Sequence, residues 1–171
     1  MPDDLLEDTL KLAKEAVTNS TVEPAACAGF AVEGSEMLET GATVNMGMSA
    51  GSNEQASVSL TVVSGLPEDK VEAILTGKST NVDSCESMQV TVRGHSIEAS
   101  TTSMTTSAMT EGAVAYKTSA IVPGEGSQEQ LMLTAAKRGV ILIGRSYGTA
   151  VPYADLAKLE SMLDQAAALI K

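Results

Sequence analysis

Leu131-Met132-Leu133-Thr134-Ala135-Ala136-Lys137-Arg138-Gly139-Val140-Ile141-Leu142-Ile143 is the stretch that decides the fold. Two apolar runs, Leu131 to Ala135 and Val140 to Ile143, flank Lys137-Arg138-Gly139, a hairpin turn. Ala113 to Val122 predicts the strand before this hairpin, closed by Pro123-Gly124-Glu125-Gly126. Further upstream, Met88, Val90 and Val92 alternate with Gln89 and Thr91. Arg93-Gly94-His95-Ser96 then reads as a turn into Ile97, Ala99 and Thr101. The Ser/Thr/Met run from Ser100 to Thr110 suits a strand edge or an exposed face, because threonine is β-branched. Strands thus come in runs rather than alternating with helices. That order implies antiparallel pairing and an α+β fold.

Toward the amino terminus, Val44, Met46 and Met48 alternate with polar residues, and so do Val58, Leu60 and Val62. Across Gly51-Ser52-Asn53 they predict a hairpin with one buried face. Leu66-Pro67-Glu68-Asp69 starts a helix with the stripe Val71, Ile74 and Leu75, which Gly77 is expected to end. Helices are also expected near both chain ends. One runs from Leu5 to Val17, capped by Asp3 or Asp4 and broken by Asn19-Ser20-Thr21. The other runs from Tyr153 to Lys171, is started by Pro152 and carries the stripe Leu156, Leu159, Leu163 and Ile170. A short helix follows Pro24, through Cys27. The expectation is one α+β domain over residues 1–171: an antiparallel sheet of six to seven strands with amino- and carboxy-terminal helices packed on it.

Composition narrows the function. A net charge of −11 argues against nucleic acid, whose phosphates need clustered Lys and Arg, and against anionic lipid. No stretch of about 18 apolar residues spans a membrane, and no secretory n-region and h-region opens the chain. Either the protein is cytosolic or an export signal has been removed ahead of Met1. Aromatics are scarce, so the core is aliphatic, with nine Met to fill irregular gaps. Cys27 and Cys85 form no C-x-x-C pair, which argues against a metal site or a thioredoxin-like motif. Both lie at element ends. They read either as a bridge pinning a helix to the sheet edge or as two buried free thiols.

Four motifs invite chemistry. Gly144-Arg145-Ser146-Tyr147-Gly148 matches a nucleophile elbow, but that arrangement needs a downstream histidine. The one histidine, His95, precedes Ser146. A serine hydrolase using Ser146 is therefore a remote alternative, and the glycines read as a strand end. Gly124-Glu125-Gly126 lacks the rest of a dinucleotide fingerprint and reads as a loop. Met46 with Met48, and Met104 with Met109, read as packing rather than Cu(I) ligands. Asn19-Ser20-Thr21 is formally a glycosylation sequon. No catalytic residue, metal or cofactor is expected. For a ligand, the place to look is beside the last strand, where Tyr116, Arg145 and Tyr147 are the large polar-tipped groups.

Laid out this way, the chain resembles the extracytoplasmic sensor domains of mycobacterial receptor serine/threonine kinases and related actinobacterial cell-envelope lipoproteins. The resemblance rests on an opening helix leading to Glu23-Pro24-Ala25-Ala26-Cys27, and on Cys85-Glu86-Ser87-Met88-Gln89-Val90 after a short helix. It rests further on the basic turn and apolar strand Lys137 to Ile143, and on the closing helix Leu156 to Ile170. It implies a twisted antiparallel sheet with helices on it, export, and a Cys27–Cys85 bond. It also implies a cleft for a small molecule or envelope component outside the membrane. The kinase sensors have two disulfides, whereas this chain can make one. A secreted or lipid-anchored relative, monomeric or weakly dimeric, fits better than a receptor fragment, and the resemblance carries over no catalytic residues. The alternative is a structural or adaptor protein that engages another envelope protein through its sheet.

Overall fold

Arg138 (φ 50°) and Gly139 (φ 75°) both take positive φ, the requirement of a two-residue type I′ turn that matches strand twist. The turn closes a hairpin of β7 (Gly126–Lys137) and β8 (Val140–Gly148), with Lys137 opposite Val140 and Leu133 opposite Gly144. In this computed structural model residues 19–31, 41–53, 56–92, 94–122, 124, 126–151 and 153–171 are described. The helix expected over residues 5–17 and the expected roles of Pro123 and Pro152 lie outside them.

The remaining strands build outward from the hairpin. They are β1 (Ser20–Glu23), β2 (Thr43–Ala50), β3 (Ala56–Ser64), β4 (Met88–Val92), β5 (His95–Met104) and β6 (Val114–Val122). All pairs are antiparallel, in the order β1-β4-β5-β6-β7-β8-β3-β2. The sheet therefore has eight strands, more than the expected six to seven. The extra strand is β1: Ser20 to Glu23, which overlaps the expected helix breaker Asn19-Ser20-Thr21, pairs with Val92 to Gln89. Among the described residues three helices accompany the sheet: α1 (Ala28–Ala31), which continues a 3-10 turn over Ala25–Cys27, α2 (Glu68–Asn81) and α3 (Ala154–Leu169).

The central strands are buried on both sides. Leu131, Leu133, Ala135 and Leu142 join Leu159, Leu163 and Ala167 of α3 in one apolar layer. Met132, Ile141 and Ile143 alternate with them and face a second layer containing Phe30, Val71, Tyr116 and both cysteines. Gly144 lies under α3. A Cβ there would meet Leu159 Cδ2 at 3.3 Å and Leu159 Cβ at 3.4 Å, so the glycine permits close helix–strand approach. In the second layer Tyr116, wholly buried, sets its ring edge-on to Phe30 at 4.9 Å and 83°. Lys78 of α2 is 5% exposed and donates from Nζ to the Tyr116 hydroxyl (3.2 Å) and the Gly29 carbonyl (3.4 Å).

Two expectations are corrected here. Helix α2 does not end at Gly77 but runs to Asn81. A mid-helix glycine costs only about 1 kcal/mol, and continuing the helix seats Lys78 and Val82 against the sheet. The β2–β3 hairpin does not gather its apolar residues on one face either. Met46 stands opposite Thr61 and Met48 opposite Ser59, while Val58 joins the α3 layer. The cause is position: β3 is an interior strand covered from both sides, and β2 is an edge.

Cys27 and Cys85 are bonded, with Cα atoms 5.6 Å apart, and tie the 3-10 turn after β1 to the turn before β4. Replacing both by Ser should cost about 4 kcal/mol, the loop-closure entropy of a separation of 58 residues, read as a shift in urea midpoint. Gly144→Val should destabilise by about 1–3 kcal/mol through overpacking against Leu159, in the same assay.

Candidate functional site

Helix α3 lies over β7, β8 and β3, so β5 and β6 emerge from beneath it. Thr102 stands opposite Lys117 and Met104 opposite Ala115, which puts these side chains on the α3 side of the sheet. Where the helix begins, they form a groove of about 400 Å³ lined by Thr102, Ser103, Met104, Thr105, Lys117, Tyr153 and Leu156. Such a volume falls within the range of small-ligand sites. The lining is amphipathic: threonines, a cation and a phenol beside a thioether and a leucine. Tyr153, 75% exposed, forms the outer rim. The Lys117 ammonium pairs with Glu129 Oε1 at 2.7 Å, and Glu129 Oε2 accepts the Val151 N–H at 3.0 Å. The Lys117 hydrogen bond holds the Glu129 carboxyl below its usual range against the opposing effect of burial. The groove floor is thereby tied to the segment that delivers Tyr153.

The wall beside the groove is held by α3 carboxylates. Glu160 Oε1 accepts the Thr106 hydroxyl (2.8 Å) and the Ser107 N–H (2.6 Å), and its Oε2 accepts the Ser107 hydroxyl (2.7 Å). One turn on, Asp164 accepts the N–H groups of Met109 (2.9 Å) and Thr110 (3.0 Å) and the Thr110 hydroxyl (2.8 Å). The Ser100–Thr110 run is thus a strand only as far as Met104. Beyond it, hydroxyls and amides clasp the helix. A second cavity of about 360 Å³ lies at the far end of α3, lined partly by Met109, Lys137 and Asp164. Its lysine is engaged, donating to the Ala167 carbonyl at 2.7 Å.

Tyr116, Arg145 and Tyr147 lie on the opposite face of the sheet. Arg145, Met132 and Tyr116 share one register level, and the Arg145 guanidinium sits 5.0 Å from the Tyr147 ring centroid. The structure brings Arg145 and Tyr147 together. Tyr116 sits under Lys78 and Phe30 with no exposed surface. The sequence reading missed Lys117 and Tyr153. The available signal was a lone cation in the middle of an otherwise uncharged strand.

Ser146 is wholly buried and donates to Asp155 Oδ2 at 2.5 Å; Asp155, also buried, accepts the Ser52 N–H at 2.8 Å and the Ser52 hydroxyl. His95 does not approach this serine. The strand register puts Thr102 level with Ser146, three strands away, and His95 a further seven residues along β5. The separation is about 14 Å across the sheet and about 23 Å along it, far beyond proton-transfer reach. The glycine–serine pattern serves helix docking: Gly144 makes room for Leu159, and Ser146 anchors Asp155. Met46 and Met48 lie on the β2 edge while Met104 packs beside α3, so the methionines do not converge. Among the described residues no cluster of His, Cys, Asp or Glu could hold a metal ion, and no helix is long and apolar enough to cross a membrane.

No family model matches the chain, and no curated protein does. Solved structures do. The chain is similar to the extracellular domain of PknH from Mycobacterium tuberculosis, at 15% identity and a TM-score of 0.61, over 87% of this chain and 77% of that one. It is also similar to an uncharacterised protein of Mycobacterium smegmatis, the Rv0999 ortholog, at 17% identity and a TM-score of 0.49, over 87% and 75%. The resemblance to mycobacterial kinase sensor domains read from the sequence is borne out as a likeness of fold.

Burial pushes the carboxyls of Asp155, Glu160 and Asp164 upward, and the neighbouring Asp164 adds to this at Glu160. The hydroxyl and amide donors outweigh these effects and hold all three below their usual range. Their contribution to stability is therefore complete above the ordinary carboxylate range, from about pH 5 upward, and is lost as pH falls through the lowered values. The thermal midpoint should drop on acidification below about pH 5, and the drop should be shallower in a Glu160→Gln/Asp164→Asn double variant. An equally steep drop in that variant would assign the acid sensitivity to other groups.

Proposed function

We propose that this chain is a non-enzymatic, sensor-like extracytoplasmic domain that binds a small molecule or a component of the cell envelope in the groove beside Tyr153. The observation that carries the reading is its fold, shared with an extracellular domain over most of its length. The Cys27–Cys85 bond supports it, because disulfides persist in oxidising compartments. On this reading the protein works outside the membrane, secreted or anchored to the envelope. The groove supports the binding role, offering apolar surface with convergent polar groups at one end of the sheet. The engagement of Ser146 by Asp155, and its distance from His95, support a non-catalytic role.

The test is a titration of isotope-labelled protein with soluble peptidoglycan fragments and, separately, with envelope lipids in micelles. Amide shifts should concentrate at Thr102–Thr105, Lys117 and Tyr153–Leu156. Lys117→Ala and Tyr153→Ala should each weaken binding about tenfold while the disulfide and the thermal midpoint are retained. Shifts confined to the Arg145–Tyr147 face would move the site to the opposite side of the sheet.

A further inference from the structure

The two edges of the sheet are not alike. β1 is four residues long and ends in Glu23 followed by Pro24, devices that keep another strand from adding on. β2 is eight residues long, Thr43-Val44-Asn45-Met46-Gly47-Met48-Ser49-Ala50, with no charge and no proline. It pairs with β3 on one side only, and Met48 is 65% exposed. Lys158 of α3 donates to Ser49 Oγ (3.0 Å) and to the Ala50 carbonyl (2.5 Å), which anchors the last two residues. Among the described residues, no other strand pairs with Thr43 to Met48, which present a row of backbone donors and acceptors at the sheet edge.

We infer that this edge is the contact between two copies of the chain, which pair β2 with β2 antiparallel about a two-fold axis and continue the sheet from one molecule to the next. Two observations favour a second copy as the occupant. The first is charge. Two molecules of net charge −11 repel over most approaches, and β2 offers a strip that carries none. The second is self-complementarity. A two-fold axis perpendicular to the sheet keeps each face in register with itself. Val44, Met46 and Met48 of one copy then meet the same residues of the other, and Thr43, Asn45 and Gly47 meet on the reverse face. The contact is small and therefore weak and reversible. The inference is independent of what the groove binds.

Sedimentation of the oxidised chain should show concentration-dependent dimerisation at up to about 1 mM protein. The dimer fraction should rise with salt, because screening relieves the repulsion between acidic copies. Amide exchange at Thr43–Met48 should slow as protein concentration rises. A Met46→Lys/Met48→Lys double variant should weaken association about tenfold or more while keeping the disulfide and the thermal midpoint. A monomer at every concentration and salt, with exchange in β2 independent of concentration, overturns the inference. So does a dimer that the double variant leaves intact.

Discussion

The β7–β8 hairpin buries side chains on both of its faces, and the rest of the molecule is arranged to cover them. Leu131, Leu133 and Leu142 on one side require α3; Met132, Ile141 and Ile143 on the other require the layer built from α1, α2 and the disulfide. A sheet with one solvated face could have managed with a single helix. Here each layer lacks what the other uses. The α3 layer is aliphatic and edged by carboxylates, while the second layer contains the Phe30–Tyr116 pair, a buried lysine and the covalent bridge.

α3 is the more delicately held of the two coverings. Its apolar stripe sits on Gly144, and its polar flank reaches in two directions. Asp155 and Lys158 take hold of the β2–β3 end of the sheet, and Glu160 and Asp164 take hold of the loop after β5. These carboxylates bind backbone amides and hydroxyls rather than lysines. An acidic chain with few cations can satisfy its acids in this way without forming ion pairs. The groove lies at the start of the helix, between these two sets of contacts, so its shape depends on the same carboxylates that seat α3.

The elements set by local pattern were legible in the sequence. Alternation located β2 to β5, apolar runs bounded by turns located β6 to β8, the Arg138-Gly139 turn joined the hairpin, and a stripe at helical spacing marked α3. Features set by distant partners were not. Ser20 to Glu23 becomes a strand because β4 offers an edge, and nothing within those four residues requires it. Gly77 punctuates α2 locally, yet tertiary burial of Lys78 carries the helix through it. The hydroxyls after Met104 look like an exposed strand until Glu160 and Asp164, more than fifty residues away, become their acceptors. The groove was hidden for the same reason, because β5, β6 and α3 each contribute only part of it. Tyr116 was singled out for its polar tip, which points instead at a buried ammonium.

The scarcity of aromatic residues has an optical consequence. The chain has no tryptophan, one phenylalanine and three tyrosines. Of these tyrosines, Tyr147 and Tyr153 are 41% and 75% exposed, while Tyr116 is fixed edge-on to Phe30 at the centre of the second layer. Near-ultraviolet dichroism arises from aromatic rings held in asymmetric, rigid surroundings and vanishes when packing loosens. The tyrosine band of this protein is therefore dominated by a single ring, and it reports chiefly on the layer of α1, α2 and the disulfide. Backbone dichroism follows α2, α3 and the sheet together. A tyrosine band that fades before the backbone signal during unfolding marks a loosening of the second layer's packing ahead of the loss of secondary structure.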